Sequence, residues 1–264
     1  MCLIIFAHRA DPAYPLVLAA NRDEFFGRAT AHAQFWQPDH PQILAGRDLV
    51  AGGTWLGINR AGRFAAVTNI RDPSQPERKD RSRGELTLNF LSSKESAQQY
   101  CEGLREHFDE FAGFNLLVSD GETLCYLNNF ENLIEELRPG VYGLSNGLLN
   151  SPWPKVERGR ECLQQLIQAD SPLPTDSLID MMRDRQRAQD SNLPATGIPM
   201  QLERELSATF ISNESREYGT RCSTALLMQA GGLIQFSEQN YDEEGQPASA
   251  HFYEFAQARP FYNT

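Results

Sequence analysis

The chain contains no long hydrophobic run. Its first apolar stretch, Leu3 to Ala7, is far shorter than a secretory h-region and has no basic segment before it. No window reaches the length needed to cross a bilayer, so stable membrane insertion is not expected and the sequence points to the cytoplasm. Metal motifs are missing too. The five cysteines (Cys2, Cys101, Cys125, Cys162, Cys222) are scattered and odd in number, with no CxxC or CxxCH, and the histidines form no HExxH. Neither a disulfide framework nor a metal site is expected, and no cofactor is required. Positive charge is scarce: 24 Lys and Arg stand against 35 Asp and Glu, giving a net charge of −11. That excludes nucleic acid or an anionic membrane as the main partner.

What is present is an ordinary globular composition, 41% hydrophobic and 22% charged. Strand-like runs crowd both ends: LIIFA (3–7), PLVLAA (15–20), TWLGI (54–58), RFAAVTNI (63–70), FNLLVSD and TLCYLNN around Asp120-Gly121, then STALLM, LIQFSE and HFYEF. These runs are nearly continuous in apolar residues, as expected when both faces of a sheet are covered. The middle reads as helix over 94–110, 155–169 and 174–186, with a further short helix over 84–93. No linker, repeat or low-complexity tract divides the chain. One α+β domain spanning 1–264 is expected, with helices covering stacked antiparallel sheets.

The opening MCLIIFAHRA raises a chemical question. A residue as small as Cys2 permits removal of Met1, leaving a thiol and a free α-amine on one residue, a nucleophile with its own base. A quiet strand-end cysteine is the plain alternative. If 3–7 and 16–20 pair with Ala7 opposite Leu16, Cys2 lies opposite Asn21 and Asp23 shares its face one diagonal step away. A one-residue slip brings Arg22 opposite instead. In either register NRDE (21–24) lies beside the thiol, where Asp23 can orient the amine. Acyl transfer also needs donors aimed at the oxyanion, and Asn69 and Asn146 end strand-like segments. The loop 71–84 carries five basic residues against three acidic ones. It reads as a solvated loop or as a clamp in which Arg78, Lys79, Arg81 and Arg83 hold an anionic ligand.

MC at the start, NRDE, AGRDLVAGGTWLGINRAGRFAAVTN (45–69), GLSNGLLNSPWPK (143–155) and YGTRCST (218–224) together resemble the NRDE family, in order over nearly the whole chain. The family resembles the N-terminal nucleophile hydrolases, whose fold is a four-layer αββα sandwich. The pattern is also similar to the choloylglycine hydrolase and penicillin V acylase branch. The resemblance implies that Cys2 attacks, Asp23 holds the α-amine, and Asn69 and Asn146 help to bind the oxyanion. It leaves Asn21, Arg22, Trp55 and Arg221 for substrate binding. One departure stands out: the branch has an arginine three positions before its aspartate, where this chain has Ala20. Arg22 or Arg221 then supplies the positive charge.

The implied function is hydrolysis of a small amide or thioester by an N-terminal cysteine. The rival implied by the same family is a non-catalytic carrier of haem or acyl-CoA. A carrier's cleft would draw on Phe25, Phe26, Phe35, Trp36, Trp55 and Trp153, which are otherwise ordinary core residues. Haem as a carried ligand would take its axial bond from Cys2, His8, His32 or His40.

Overall fold

A computed structural model describes residues 2–75, 79–169, 172–212 and 217–258. The chain runs β1 (Cys2–Asp11), β2 (Tyr14–Phe25), β3 (Thr30–Trp36), β4 (His40–Asp48), β5 (Leu56–Asn59), β6 (Phe64–Asn69), α1 (Gly84–Ser92) and α2 (Ala97–Leu104). A 3-10 turn (Arg105–Glu110) leads to β7 (Phe114–Ser119), β8 (Leu124–Asn128), β9 (Leu133–Glu136) and β10 (Gly140–Leu144). Then come α3 (Pro154–Ala169), α4 (Thr175–Met181), α5 (Met200–Glu205), β11 (Tyr218–Met228), β12 (Leu233–Tyr241) and β13 (Pro247–Ala256).

The strands form two antiparallel sheets, a six-stranded one ordered β10-β1-β2-β11-β12-β13 and a seven-stranded one in sequence order from β3 to β9. Three apolar cores separate four layers. Ile4, Phe6, Leu18 and Leu226 of the first sheet meet Leu56, Phe64, Ala66 and Tyr126 of the second. Val67, Leu116 and Val118 face α1 and α2 through Leu86, Phe90 and Tyr100. Leu3, Ile5, Val17 and Ala225 face α3 and α4 through Val156, Leu163 and Leu178. Strand alternation explains the assignment: in β1, even positions point between the sheets and odd positions point to the helices. Leu3 to Ala7 are therefore buried without a break, which is why that run shows no polar alternation.

Two sequence expectations are revised. The helical reading over 94–110 splits into α2 and the 3-10 turn, because Phe108 and Phe111 turn inward to meet Phe114. The segment 174–186 stops being helical after Met181, where the chain leaves the helix layer to cross the end of the six-stranded sheet. Strands β3, β4 and β9 are additions, and their mixed polar sequences lie on or near the sheet edges; the strand-like segment before Asn146 is β10.

The turn after β4 is set by close backbone approach. A Cβ on Gly53 would be driven into the carbonyl carbon and oxygen of Gly84 at the start of α1. Thr54 donates its N–H to the Gly84 carbonyl at 3.2 Å, and the Thr87 hydroxyl bonds the Thr54 carbonyl. This contact fixes the residue that follows, Trp55. Gly53→Ala should therefore cost about 1–3 kcal/mol, because backbone on both sides cannot rotate away. Urea unfolding measures it; a variant as stable as its parent would show that the turn relaxes freely.

Candidate functional site

The site forms where β1, β2, β10 and β11 end together. In β1 and β2 the register is Cys2↔Arg22, Leu3↔Asn21 and Ala7↔Val17. The expected Ala7–Leu16 pairing is thus off by one. An irregularity between His8 and Asp11, with Arg9 at a φ of 46°, absorbs a residue in the hairpin. The consequence is chemical. Arg22, not Asp23, shares Cys2's face between the sheets, and Asp23 points with Asn21 toward the helix layer.

On the other side of β1, Ile4 pairs with Leu144, and continuing that register places Asn146 beside Cys2. The Ser145 hydroxyl donates to the Cys2 carbonyl at 3.1 Å. The buried Asn146 donates one Nδ2 hydrogen to the Asn69 carbonyl at 2.9 Å. Asn69 thus meets Asn146 through its backbone, and alternation places its side chain with Ala65 and Val67. Arg71 donates its N–H to the Asn146 carbonyl at 2.7 Å, closing the gap between the sheets.

Arg22 is buried with its guanidinium 4.4 Å from the centre of the Trp55 ring, and Glu24 lies 3.8 Å from its Nη2. Among the described residues its Nη1 has no hydrogen-bond partner. Arg22, two positions after Ala20, sits directly across from the thiol. Arg221 lies in a bulge of β11 between Thr220 and Cys222, and its Nη1 donates to the carbonyls of Phe25, Phe26 and Arg28. That guanidinium is a clasp for the turn after β2.

Asp23 accepts a 2.7 Å hydrogen bond from the Thr220 hydroxyl, which in turn accepts from the Ile211 N–H. Burial pushes the Asp23 carboxyl up from the usual range, opposed most strongly by Lys155. Burial also raises the Cys2 thiol, and the Asp23 charge adds to that; Arg22 and the Asp23 N–H act in the opposite sense. Tyr218, whose hydroxyl donates to the Asp23 carbonyl at 3.1 Å, is raised for the same reasons of burial and nearby negative charge.

Sequence reasoning missed Lys155, Tyr218 and Thr220. Lys155 is 1% exposed in the first turn of α3, and its Nζ donates to the Leu206 carbonyl at 2.9 Å. Periodicity carries the signal: Lys155, Gly159 and Leu163 recur every four residues on the stripe of α3 that faces the sheet. A lysine on such a stripe is rarely buried without an ionic reason.

Other expected residues lie elsewhere or serve the frame. Asn21 donates to the carbonyls of Met182 and Thr209 and accepts from Ser223, so it anchors the chain that crosses the site. Arg81 pairs with Glu85 and Glu110, Lys79 bonds the Asp109 carbonyl, and Arg83 bonds that of Gly113. These side chains tie the loop to α1 and the 3-10 turn, while Arg78 and Met1 lie outside the described residues. Trp153 lies under Arg71 at 5.0 Å. Trp36 is core, and Phe35 packs with Phe255. His32 stacks on His251 and His40 lies against Trp36, both in strands of the other sheet or its edge. Among the described residues, no three His, Cys, Asp or Glu are grouped to hold a metal, and no helix is long and apolar enough to cross a membrane.

The crossing chain, 182–212, is held by a buried ion pair between Arg71 and Glu203 at 2.9 Å, in addition to the bonds to Asn21, Lys155 and Thr220. Glu203 also accepts from the Thr196 N–H and hydroxyl.

This is an αββα sandwich whose polar cluster surrounds the cysteine at position 2. The chain belongs to the Transport and Golgi organisation 2 family, whose family model matches residues 1–243. It is 36% identical to the human Transport and Golgi organization protein 2 homolog over 91% of this chain and 93% of that one. The Mus musculus homolog is 34% identical over 97% and 99%, and the Drosophila melanogaster protein 28% over 90% and 92%. Among solved structures, a C2A mutant of the conjugated bile acid hydrolase from Clostridium perfringens is similar at a TM-score of 0.47 and 9% identity, covering 100% of this chain and 99% of that one. The Caenorhabditis elegans ortholog of N-acylethanolamine-hydrolyzing acid amidase gives 0.39 at 10% identity, over 86% and 92%.

Two outcomes test this arrangement. Glu203→Ala leaves the Arg71 guanidinium buried without that carboxylate, which should cost about 3–5 kcal/mol; urea unfolding and proteolysis within 182–212 read it, and an unchanged midpoint would show the pair to be incidental. His8, at the far end of β1 from the thiol, is held neutral by burial and by Arg9, its pKa pushed down to about 4 from 6.5. As pH falls below 6.5 the unfolded chain takes up a proton that the folded chain refuses until about 4, so stability should be lost across that window. His8→Leu should flatten that part of a stability–pH curve, and a slope that persists would assign it to other groups.

Proposed function

We propose that the protein is an N-terminal-cysteine hydrolase acting on a small amide or thioester. The observation that carries this reading is the register at the end of β1: Cys2 lies between Arg22 and Asn146, and Asp23 follows Arg22 in the same strand. Gathering so many polar groups at a buried strand end is costly, and reaction chemistry supplies the return.

In this mechanism removal of Met1 frees the Cys2 α-amine, and the Asp23 carboxylate holds it. The amine takes the thiol proton, which burial makes reluctant to leave. The sulfur attacks the substrate carbonyl and a tetrahedral oxyanion forms. Asn146, held in place by the Asn69 carbonyl, turns its second amide hydrogen to that oxygen. The α-ammonium then protonates the departing amine or thiol as its bond to carbon breaks. Water, deprotonated by the same amine, attacks the S-acyl intermediate and releases a carboxylic acid and the free thiol. Arg22, flat on Trp55 and across from the sulfur, favours the thiolate and binds substrate.

Cys2→Ala keeps a small residue after Met1 and removes only the sulfur. Hydrolysis of a panel of acyl amides and thioesters should fall by about a thousandfold or more while binding stays near the parent value. Intact mass should show Met1 absent from the active protein. A parent that binds haem or an acyl thioester with no turnover, matched by Cys2→Ala, would overturn the hydrolase in favour of a carrier.

A further inference from the structure

Lys155 is the buried charge that the mechanism above leaves unused. Its Nζ meets one neutral acceptor, the Leu206 carbonyl, although an ammonium has three hydrogens to place. Its position is enforced by packing. One turn further along α3, a Cβ on Gly159 would come within 2.7 Å of the Ile5 side chain, and one on Gly143 within 2.6 Å of Val156. The helix therefore lies directly on β1 and β10, and its first turn overhangs the strand end on the face that Asp23 occupies.

The charged and titratable groups around Lys155 are Asp23 from β2, Cys2 from β1, Arg71 after β6 and Glu203 from α5. Glu203 is committed to Arg71 and Thr196. Asp23 is the carboxylate acting most strongly on the lysine, and Lys155 is the strongest opponent of the burial that drives Asp23 toward its neutral acid. Burial alone pushes the Lys155 amine down, and the balance leaves it at about 8. Burial disfavours each charge at this depth, and each opposes the effect of burial on the other.

We propose that Lys155 is a positioning residue whose ammonium keeps Asp23 a carboxylate, and so keeps an acceptor for the Cys2 α-amine. The proposal rests on the reading of Asp23 given above, and it adds a second cation to the site that touches neither substrate nor sulfur. A lysine whose role was only to hold the Leu206 carbonyl would leave Asp23 unaffected.

The test follows the Asp23 carboxyl by carbon-13 NMR in aspartate-labelled protein, the resonance identified by its loss in Asp23→Asn. In Lys155→Met the Asp23 midpoint should rise by about one pH unit or more, a tenfold or greater loss of carboxylate at a given acid pH. Lys155→Arg, which keeps the charge, should return it toward the parent. The acid limb of hydrolysis should move upward with it through kcat, with KM little changed. An Asp23 midpoint that does not move in Lys155→Met overturns the proposal. If that variant does not fold, the reciprocal shift decides: the Lys155 midpoint, followed at its Cε, should fall below about 8 in Asp23→Asn, and a midpoint that stays put is equally fatal. Because the titration needs no turnover, an inactive parent would sink the hydrolase reading while leaving the coupling of the two charges to be judged on its own shift.

Discussion

Everything at the polar end of the molecule depends on the pairing of β1 with β2. A sheet has two faces, and one residue of slip exchanges them. With Cys2 across from Arg22, the thiol and guanidinium lie between the sheets above Trp55, and the Asp23 carboxylate lies under the helices near Lys155. The other register would have placed Asp23 on the thiol's own face. There its charge would have met the space that Arg22 now fills against Trp55. The apolar runs on both sides of β1 hold the pairing in place, because slippage would unseat Leu3 and Ile5 from α3 as well as Ile4 and Phe6 from the second sheet.

Besides Arg22, four charges are buried around this end, and they are arranged in two pairs of different kind. Arg71 and Glu203 form a direct ion pair at 2.9 Å with further hydrogen bonds to the carboxylate, which offsets much of its desolvation. Asp23 and Lys155 are each hydrogen-bonded to a different group, Thr220 and the Leu206 carbonyl, and act on one another through a poorly polarisable interior. The first pair fastens the crossing chain. The second bears on protonation states, and for that purpose a looser pair is better, since its members stay responsive to the thiol beside them.

The fold was legible where burial is two-sided. LIIFA and PLVLAA are apolar throughout, and Phe114 to Ser119 are buried throughout, because each strand lies under a helix on one face and a sheet on the other. Strands β3, β4 and β9 were not legible, since the first two mix exposed and buried positions irregularly and LIEE has no buried position at all. The MC and NRDE signals correctly brought Cys2 and residues 21–24 together, but the register between them depends on a left-handed Arg9 in the hairpin, a conformation that no residue type at that position announces. Lys155 was readable in principle from the stripe of α3. It was obscured because Pro154 starts the helix immediately before it, and a lysine in a first turn normally reaches solvent.

The crossing chain 182–212 is gripped mainly by its peptide groups. Asn21 holds two of its carbonyls, Lys155 a third, and Thr220 an amide, while Glu203, Asp184 and Arg185 add charged side chains to the fastening, paired with Arg71, Arg158 and the Gly245 carbonyl. A covering held in that way tolerates substitution at its exposed positions, provided the backbone keeps its path and Met182, Phe210 and Ile211 stay buried. The outer surface of that covering can therefore drift in sequence, while its buried side and the strands beneath stay as they are.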